Sequence, residues 1–218
     1  MDLYLAVIAD VIKSRNVSGM NEIPNRIQEI NGALSEEIFI PFKCMRGDEI
    51  EAVLVIEKNF MKAIRTLKYY LQPMKIRIGL GIGQLDIDNY NLPPSDPFLL
   101  SGTAFYAARD AVDFIGHVKK QESIILNCEP KLDDHYTDTW NLMFGYYCNI
   151  LNGWNKEKWD AVMSYEKHGS MMEAANELGK RYQSIQRSIE RADWDIIKDT
   201  ELWMSKEITT MINQIKQT

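Results

Sequence analysis

In the first 85 residues, stretches with the apolar pattern of a β-strand alternate with stretches that have the apolar pattern of an α-helix. Runs of strand length, either continuously apolar or alternating, occupy residues 3–9, 38–45, 50–57 and 75–85. Between these predicted strands, apolar residues recur at every third or fourth position over 21–34 and 58–72, which predicts two amphipathic helices. The resulting order, βαββαβ, predicts an α+β fold of the ferredoxin-like type, in which a four-stranded antiparallel sheet carries two helices on one face.

The rest of the chain is predicted to be mostly helical. One strand-like run at 123–127 precedes an aromatic helix that is expected to begin at Thr137 or Asp138, and its apolar stripe is typical of a buried contact. Three short helices broken by glycines follow, and an amphipathic helix ends the chain. We therefore expect a ferredoxin-like domain at 1–130, a helical connector at 131–154, a helix-turn-helix domain at 155–197 and a C-terminal helix at 198–218.

The three short helices have the spacing of a helix-turn-helix. Ala175 precedes Gly179 by four residues, and Ile185 follows it by six. These positions supply a small residue where two helices cross, a turn at which φ can be positive, and an apolar anchor. If the unit binds DNA, the third helix enters the major groove and its early residues face bases or phosphates. Those residues are Arg181, Tyr182, Gln183, Gln186 and Arg187. A trihelical unit that binds protein is the alternative.

Composition restricts the classes of partner and compartment. The chain has 218 residues, 45% of them hydrophobic, and a net charge of −6, so any contact with DNA must come from a local basic patch. Residues 180–194 carry four basic and two acidic side chains, a local excess of two. The wider segment 155–197 carries seven basic and eight acidic residues, which is poor for tight non-specific binding. No signal peptide and no apolar stretch of bilayer length is evident, which predicts a cytoplasmic protein without a membrane partner. Three widely separated cysteines fit neither a disulfide framework nor a zinc site.

Two carboxylates stand beside a predicted hairpin turn at 46–49. We expect the first strand to lie beside the strand that enters this hairpin, so that Asp10, at the end of the first strand, meets Asp48 at the hairpin tip. Two carboxylates held together form a hard oxygen site suited to Mg²⁺ or Mn²⁺, and phosphate oxygens usually complete such a shell. The alternative is that Gly47 and Asp48 are ordinary turn residues and Asp10 caps a loop.

Four stretches of sequence then support a family resemblance. AVIADVIKSR, RGDEIEAVLV, IRIGLGIG and LSGTAFYAARDA occur in an order that resembles the SatD family of small bacterial proteins over nearly the whole chain. The first half, about residues 3–116, also resembles class III nucleotide cyclases and GGDEF domains. Those families place metal-binding aspartates at the positions of Asp10 and Asp48, and Glu49 follows Asp48 as in GGDEF. The resemblance therefore implies a cyclase-like domain with metal ligands at Asp10, Asp48 and Glu49.

The same resemblance implies nucleotide-binding residues and shows where this chain departs from the cyclases. Arg109 matches a phosphate-binding arginine, which could instead pair with an acid on its own helix, and Arg46 is a second candidate near the hairpin. Phe105 stands where cyclases keep an asparagine, and Cys44 where they keep a lysine. These departures argue against efficient cyclase activity, because phosphoryl transfer depends on positioned charge.

Two functions from different classes follow from these patterns. The preferred hypothesis is a dimeric DNA-binding regulator whose first domain senses a metal-nucleotide or serves as a dimerisation platform. The alternative is an Mg²⁺- or Mn²⁺-dependent enzyme that acts on nucleoside triphosphates. A purely structural first domain is a third possibility.

Overall fold

The computed structural model describes residues 2–16, 18–45, 47–86, 97, 101–119, 121–131 and 134–217. Within these residues, five strands form one sheet: β1 Tyr4–Val11, β2 Ile38–Cys44, β3 Glu49–Leu54, β4 Ile76–Gly83 and β5 Ser123–Cys128. The α-helices are α1 Ile23–Ala33, α2 Phe60–Tyr70, α3 Thr103–Phe114, α4 Asp134–Asn152, α5 Lys156–His168, α6 Met171–Glu177, α7 Tyr182–Arg191 and α8 Trp194–Gln217. The protein is therefore a mixed α+β protein with a helical second half.

The sheet has the strand order β2-β3-β1-β4-β5. The pairs β2–β3, β3–β1 and β1–β4 are antiparallel, and β5 pairs with β4 in parallel. One detail of the prediction is wrong: β1 pairs with β3, the strand that leaves the hairpin, rather than with β2, which enters it. Because α1 carries the chain across the sheet between β1 and β2, β3 can fold back into the space between them. Asp10 is therefore paired in register with Glu49.

The two faces of the sheet are covered by different helices. Alternate side chains of β1, such as Leu5 and Val7, belong to the large core beneath α1 and α2. The intervening side chains, such as Ala6 and Ile8, face a smaller core that α3 completes. This alternation follows from the period of two in a strand. Both faces of β1 are buried, which explains why its sequence is a continuous apolar run.

Glycines at alternate positions of β4 bring α3 close to the sheet. A Cβ atom added at Gly79 would lie 2.1 Å from the carbonyl oxygen of Ala108, and one at Gly81 would lie 2.0 Å from that of Ala104. A side chain at either position would therefore collide with the backbone of α3. These glycines serve the close packing of a helix on a strand.

Helices of the second half pack against the sheet and against one another. Trp140, Phe144 and Tyr147 of α4 are buried in the same core as the first four strands. The described helix begins at Asp134, ahead of the cap predicted at Thr137 or Asp138. Its first turn carries exposed side chains such as His135 and Tyr136, so the apolar period does not extend to the true start.

Three short helices, α5 to α7, form a compact unit in which each contacts the other two. Gly169 ends α5 with φ of 66°, and Gly179 follows α6 with φ of 62°. Positive φ is readily adopted by glycine, so both residues suit these sharp turns. In the described part of the chain, no helix is both long and apolar enough to cross a bilayer.

Candidate functional site

A cavity of about 360 Å³ lies where β1 ends, beside the β2–β3 hairpin and the end of α3. The described residues that line it are Asp10, Glu49, Arg77, Arg109, Val112, Asp113, Gly116 and His117. Three of the residues predicted from sequence, Asp10, Glu49 and Arg109, are thus brought together. Asp48 acts on Asp10 through its charge but is not among the lining residues, and Arg46 lies outside the described residues.

Each lining carboxylate of the predicted set is paired with an arginine. Nη1 of Arg77 donates to Oδ2 of Asp10 at 2.9 Å. Arg109 donates to both carboxylate oxygens of Glu49, with 2.6 Å from Nη2 to Oε1. The same Nη2 donates to Glu51 at 3.0 Å. The hydrogen-bond partners of Arg109 therefore come from strand β3, while Asp113 of its own helix contributes a nearby charge.

The balance of burial and charge differs between these groups. Burial raises the pKa of Asp10 above its ordinary value, and the neighbouring charge of Asp48 adds to this, while Arg77 opposes it. The hydrogen bond to Glu49 raises the pKa of Arg109, and this outweighs the opposing effect of burial. The ionised form of Asp10 is therefore disfavoured, whereas the protonated form of Arg109 is favoured.

Sequence reasoning did not identify Arg77, Glu51, Asp113 or His117 as parts of this site. Arg77 lies directly across from Asp10 in the β1–β4 register. The pairing of β1 with β4 was not predicted from the sequence, and only this pairing makes the two charged residues neighbours. Asp113 and His117 lie on the last turn of α3 and just beyond it, and they reach the cavity because that helix is seated on the glycines of β4.

The described side chains do not form a ready metal site. No group of three or more His, Cys, Asp or Glu residues within them is arranged to hold a metal ion. Oδ2 of Asp10 and both carboxylate oxygens of Glu49 accept hydrogen bonds from guanidinium groups. Nε of Arg77 is buried and has no hydrogen-bond partner among the described residues. These carboxylates would therefore bind a divalent cation only if Arg77 and Arg109 paired with a bound anion at the same time.

The residues predicted to contact DNA lie together at the start of α7. Arg181, the N-cap, and Tyr182, Gln183 and Arg187 are exposed, while Gln186 is half-buried. Nε2 of Gln186 donates to Oε1 of Glu190 at 2.9 Å on the same helix. The opposite face of α7 holds Ile185 and Ile189 in the core. The five residues form one continuous surface, well separated in sequence from the cavity.

Two solved structures are similar to this chain at low sequence identity. One is a bacterial light-regulated adenylyl cyclase, 13% identical, with 58% of this chain and 77% of that chain covered and a TM-score of 0.36. The other is a regulator of polyketide synthase expression from Bifidobacterium adolescentis, 12% identical, with 100% and 83% covered and a TM-score of 0.27. No curated protein matches the chain. Residues 4–165 match the SatD family, and the protein belongs to that family.

Proposed function

We propose that this protein is a DNA-binding regulator in which α5, α6 and α7 form a helix-turn-helix. The first domain, a ferredoxin-like palm in this proposal, would sense a metal-nucleotide or hold two chains together. A homodimer is expected because one recognition helix reads too few base pairs for a specific site. The observation that carries the proposal is the exposed polar surface at the start of α7.

The turn between α6 and α7 supports this proposal. The amide of Lys180 donates to the carbonyl of Ala175 at 2.9 Å, which closes the end of α6 around Gly179. Ala175 and Ile185 are both buried, so the two helices are held by the small residue and the apolar anchor that a helix-turn-helix uses. Arg181, the N-cap of α7, makes no side-chain capping bond. The first amides of α7 are therefore available to a DNA phosphate.

Replacing Arg187 by alanine is expected to weaken DNA binding without unfolding the protein. A DNA site is first obtained by selection from random duplexes with the purified protein. Loss of a bidentate contact to guanine costs about 1–3 kcal/mol, which corresponds to roughly 5- to 150-fold in affinity. Fluorescence anisotropy with the selected duplex measures the change, and circular dichroism checks the fold.

Lys206→Ala is the matched control, because Lys206 is an exposed cation on α8. This variant removes the same charge and should bind the duplex with nearly the affinity of the unchanged protein. Equal affinity of the Arg187→Ala variant and the unchanged protein would exclude α7 as the recognition helix. Failure to select any duplex would favour the protein-binding trihelical unit instead.

The cavity beside the hairpin supports a second candidate function, an Mg²⁺- or Mn²⁺-dependent enzyme that acts on nucleoside triphosphates. In this proposal Asp10, Asp48 and Glu49 would bind the cation, and Arg77 and Arg109 would turn to the phosphates. The cation would supply charge neutralisation at the phosphate oxygens. Because the carboxylates of the cavity are paired with arginines, we expect neither ligand to bind well alone. A cation alone would leave the arginines unpaired, and a nucleotide alone would leave the carboxylates unpaired.

Metal and nucleotide together are therefore expected to raise the melting temperature far more than the sum of their separate effects. With each ligand about 100-fold above its dissociation constant, a rise on the order of 5–10 °C is expected. Differential scanning fluorimetry with a panel of nucleotides, with and without Mg²⁺ or Mn²⁺, measures it. The Asp48→Asn variant should lose the joint rise and any turnover.

Asp199→Asn provides the control, since Asp199 is an exposed aspartate on α8, and it should keep the joint rise. Full turnover in the Asp48→Asn variant would remove the hairpin from the site. The absence of a rise with every nucleotide would leave the first domain as a structural or dimerisation unit.

A further inference from the structure

An open groove of about 1090 Å³ lies between α3 and α4, with β5 at its floor. It is much larger than the cavity at the hairpin and is lined by other residues. The floor includes Ile125 and Leu126 of β5. Three large apolar side chains stand exposed on its walls: Phe114 of α3 is 49% exposed, and Leu142 and Tyr146 of α4 are 61% and 66% exposed. A contiguous apolar surface of this kind marks an interaction site.

The charge of the groove indicates what kind of partner fits it. Among the described residues that line it, the charged ones are Asp110 on α3 and Asp138 on α4, and none is basic. Both aspartates are exposed, and no salt bridge joins either of them to another described residue. A second copy bound across a two-fold axis would place aspartate against aspartate, which is unfavourable. The complementary partner is therefore a cationic one.

The backbone hydrogen bonds of β5 favour a partner that binds as a helix over one that binds as an added strand. β5 is an edge strand of the sheet, and edge strands commonly accept an added strand from a partner. Here the side-chain amide of Asn141 pairs with the amide and the carbonyl of Leu126, at 2.7 and 3.1 Å. The centre of the strand edge is thus already satisfied, so a partner cannot extend the sheet there. An amphipathic helix laid into the groove needs no such edge.

Gly145 gives an independent indication that the space in the groove is kept open. It lies inside α4 and lines the groove, and no described residue lies within 4 Å of the Cβ atom that another residue would place there. Glycine is a poor helix former, and the packing of the described residues does not require one at this position. The absence of a side chain instead lets a partner approach the backbone of α4 closely.

We propose that the groove between α3 and α4 binds a basic amphipathic helix of a partner protein. The apolar face of that helix would pack on Phe114, Leu142 and Tyr146, and its Lys or Arg side chains would pair with Asp110 and Asp138. Gly145 would allow the close approach of the two helices. This interaction uses neither the hairpin cavity nor the surface of α7.

Two synthetic peptides of roughly 18 residues, about five helical turns, test the proposal. Both carry the same leucine face, and the polar face is lysine in one and glutamate in the other. Fluorescence anisotropy with the full chain should show binding of the lysine peptide and not of the glutamate peptide. Gly145→Leu should lower the affinity for the lysine peptide by about tenfold or more, because the new side chain fills part of the groove.

Gly32→Leu is the matched control, because Gly32 also lies in a helix with nothing within 4 Å of its added Cβ. Both variants should melt at or above the temperature of the unchanged protein, and the Gly32 variant should bind the peptide normally. Equal binding of the lysine peptide by both variants would overturn the proposal, as would equal binding of both peptides. Sedimentation that shows a dimer abolished by Gly145→Leu would assign the groove to a second copy and likewise overturn it.

Discussion

Replacing Arg65 by methionine is expected to lower the free energy of unfolding by about 3–5 kcal/mol, the usual cost of removing one partner from a buried ion pair. The guanidinium group of Arg65 is fully buried, and Glu201, its closest carboxylate, is 1% exposed. Methionine preserves much of the side-chain volume but leaves Glu201 without its cation. Urea denaturation of the two proteins, followed by tryptophan fluorescence, measures the loss.

The size of this effect follows from the number of elements that meet at Arg65. Nε donates to Glu201 of α8 at 2.7 Å, and Nη2 donates to Glu166 of α5 at 2.8 Å. The group also lies 4.6 Å from the centre of the Trp194 ring, and the hydroxyl of Tyr147 donates to Glu201 at 2.6 Å. Burial lowers the pKa of Arg65, but the charges of Glu201 and Glu166 outweigh this and raise it. Arg65 therefore stays charged and joins α2 to the helices of the second half.

Three further variants separate the charge from the packing. The double variant Arg65→Met with Glu201→Leu removes both buried charges and should recover a large part of the lost stability. Glu166→Gln should cost much less than Glu201→Gln, since the side chain of Glu166 is 27% exposed and water screens its charge. Additive losses in the double variant would show that the ion pair does not account for the effect.

The existence of the first secondary-structure elements could be predicted because it depends on local spacing. The apolar runs of β1 and β4 and the helical stripes of α1 and α2 lie within a few residues of the predicted positions. Element boundaries that depend on exposed residues, such as the start of α4, carry no apolar period and were misplaced. The close packing of α3 on the alternating glycines of β4 is shown only by the structure.

The ionic contacts could not be predicted in the same way, because they join residues far apart in sequence. Arg65 lies off the apolar stripe of α2 that Phe60, Ile64 and Leu67 define, so its local pattern suggests exposure to solvent. It becomes buried because α5 and α8 return to cover that side of the helix. The pairing of Asp10 with Arg77 likewise depends on the strand order, and the metal site inferred from the carboxylates alone left out the arginines.

Gly81→Ala is expected to destabilise the protein by about 3 kcal/mol, at the upper end of the usual cost of overpacking. The added Cβ atom would lie 2.0 Å from the carbonyl oxygen of Ala104 and 2.4 Å from the amide nitrogen of Ala108. Both are backbone atoms of α3 and cannot rotate away, so the whole helix must shift. For a chain of this size the melting temperature should fall by roughly 6–12 °C, as measured by calorimetry.

The same substitution should also disturb the cavity, because α3 holds Arg109 against Glu49. A shift of the helix away from β4 would lengthen that contact and reduce the joint effect of metal and nucleotide on melting. Gly32→Ala is the control, since its added Cβ meets nothing within 4 Å and should stabilise α1 by about 0.5–1 kcal/mol. If Gly81→Ala instead melted at the temperature of the unchanged protein, α3 could not be seated on the glycines of β4. The placement of Arg109 would then require another explanation.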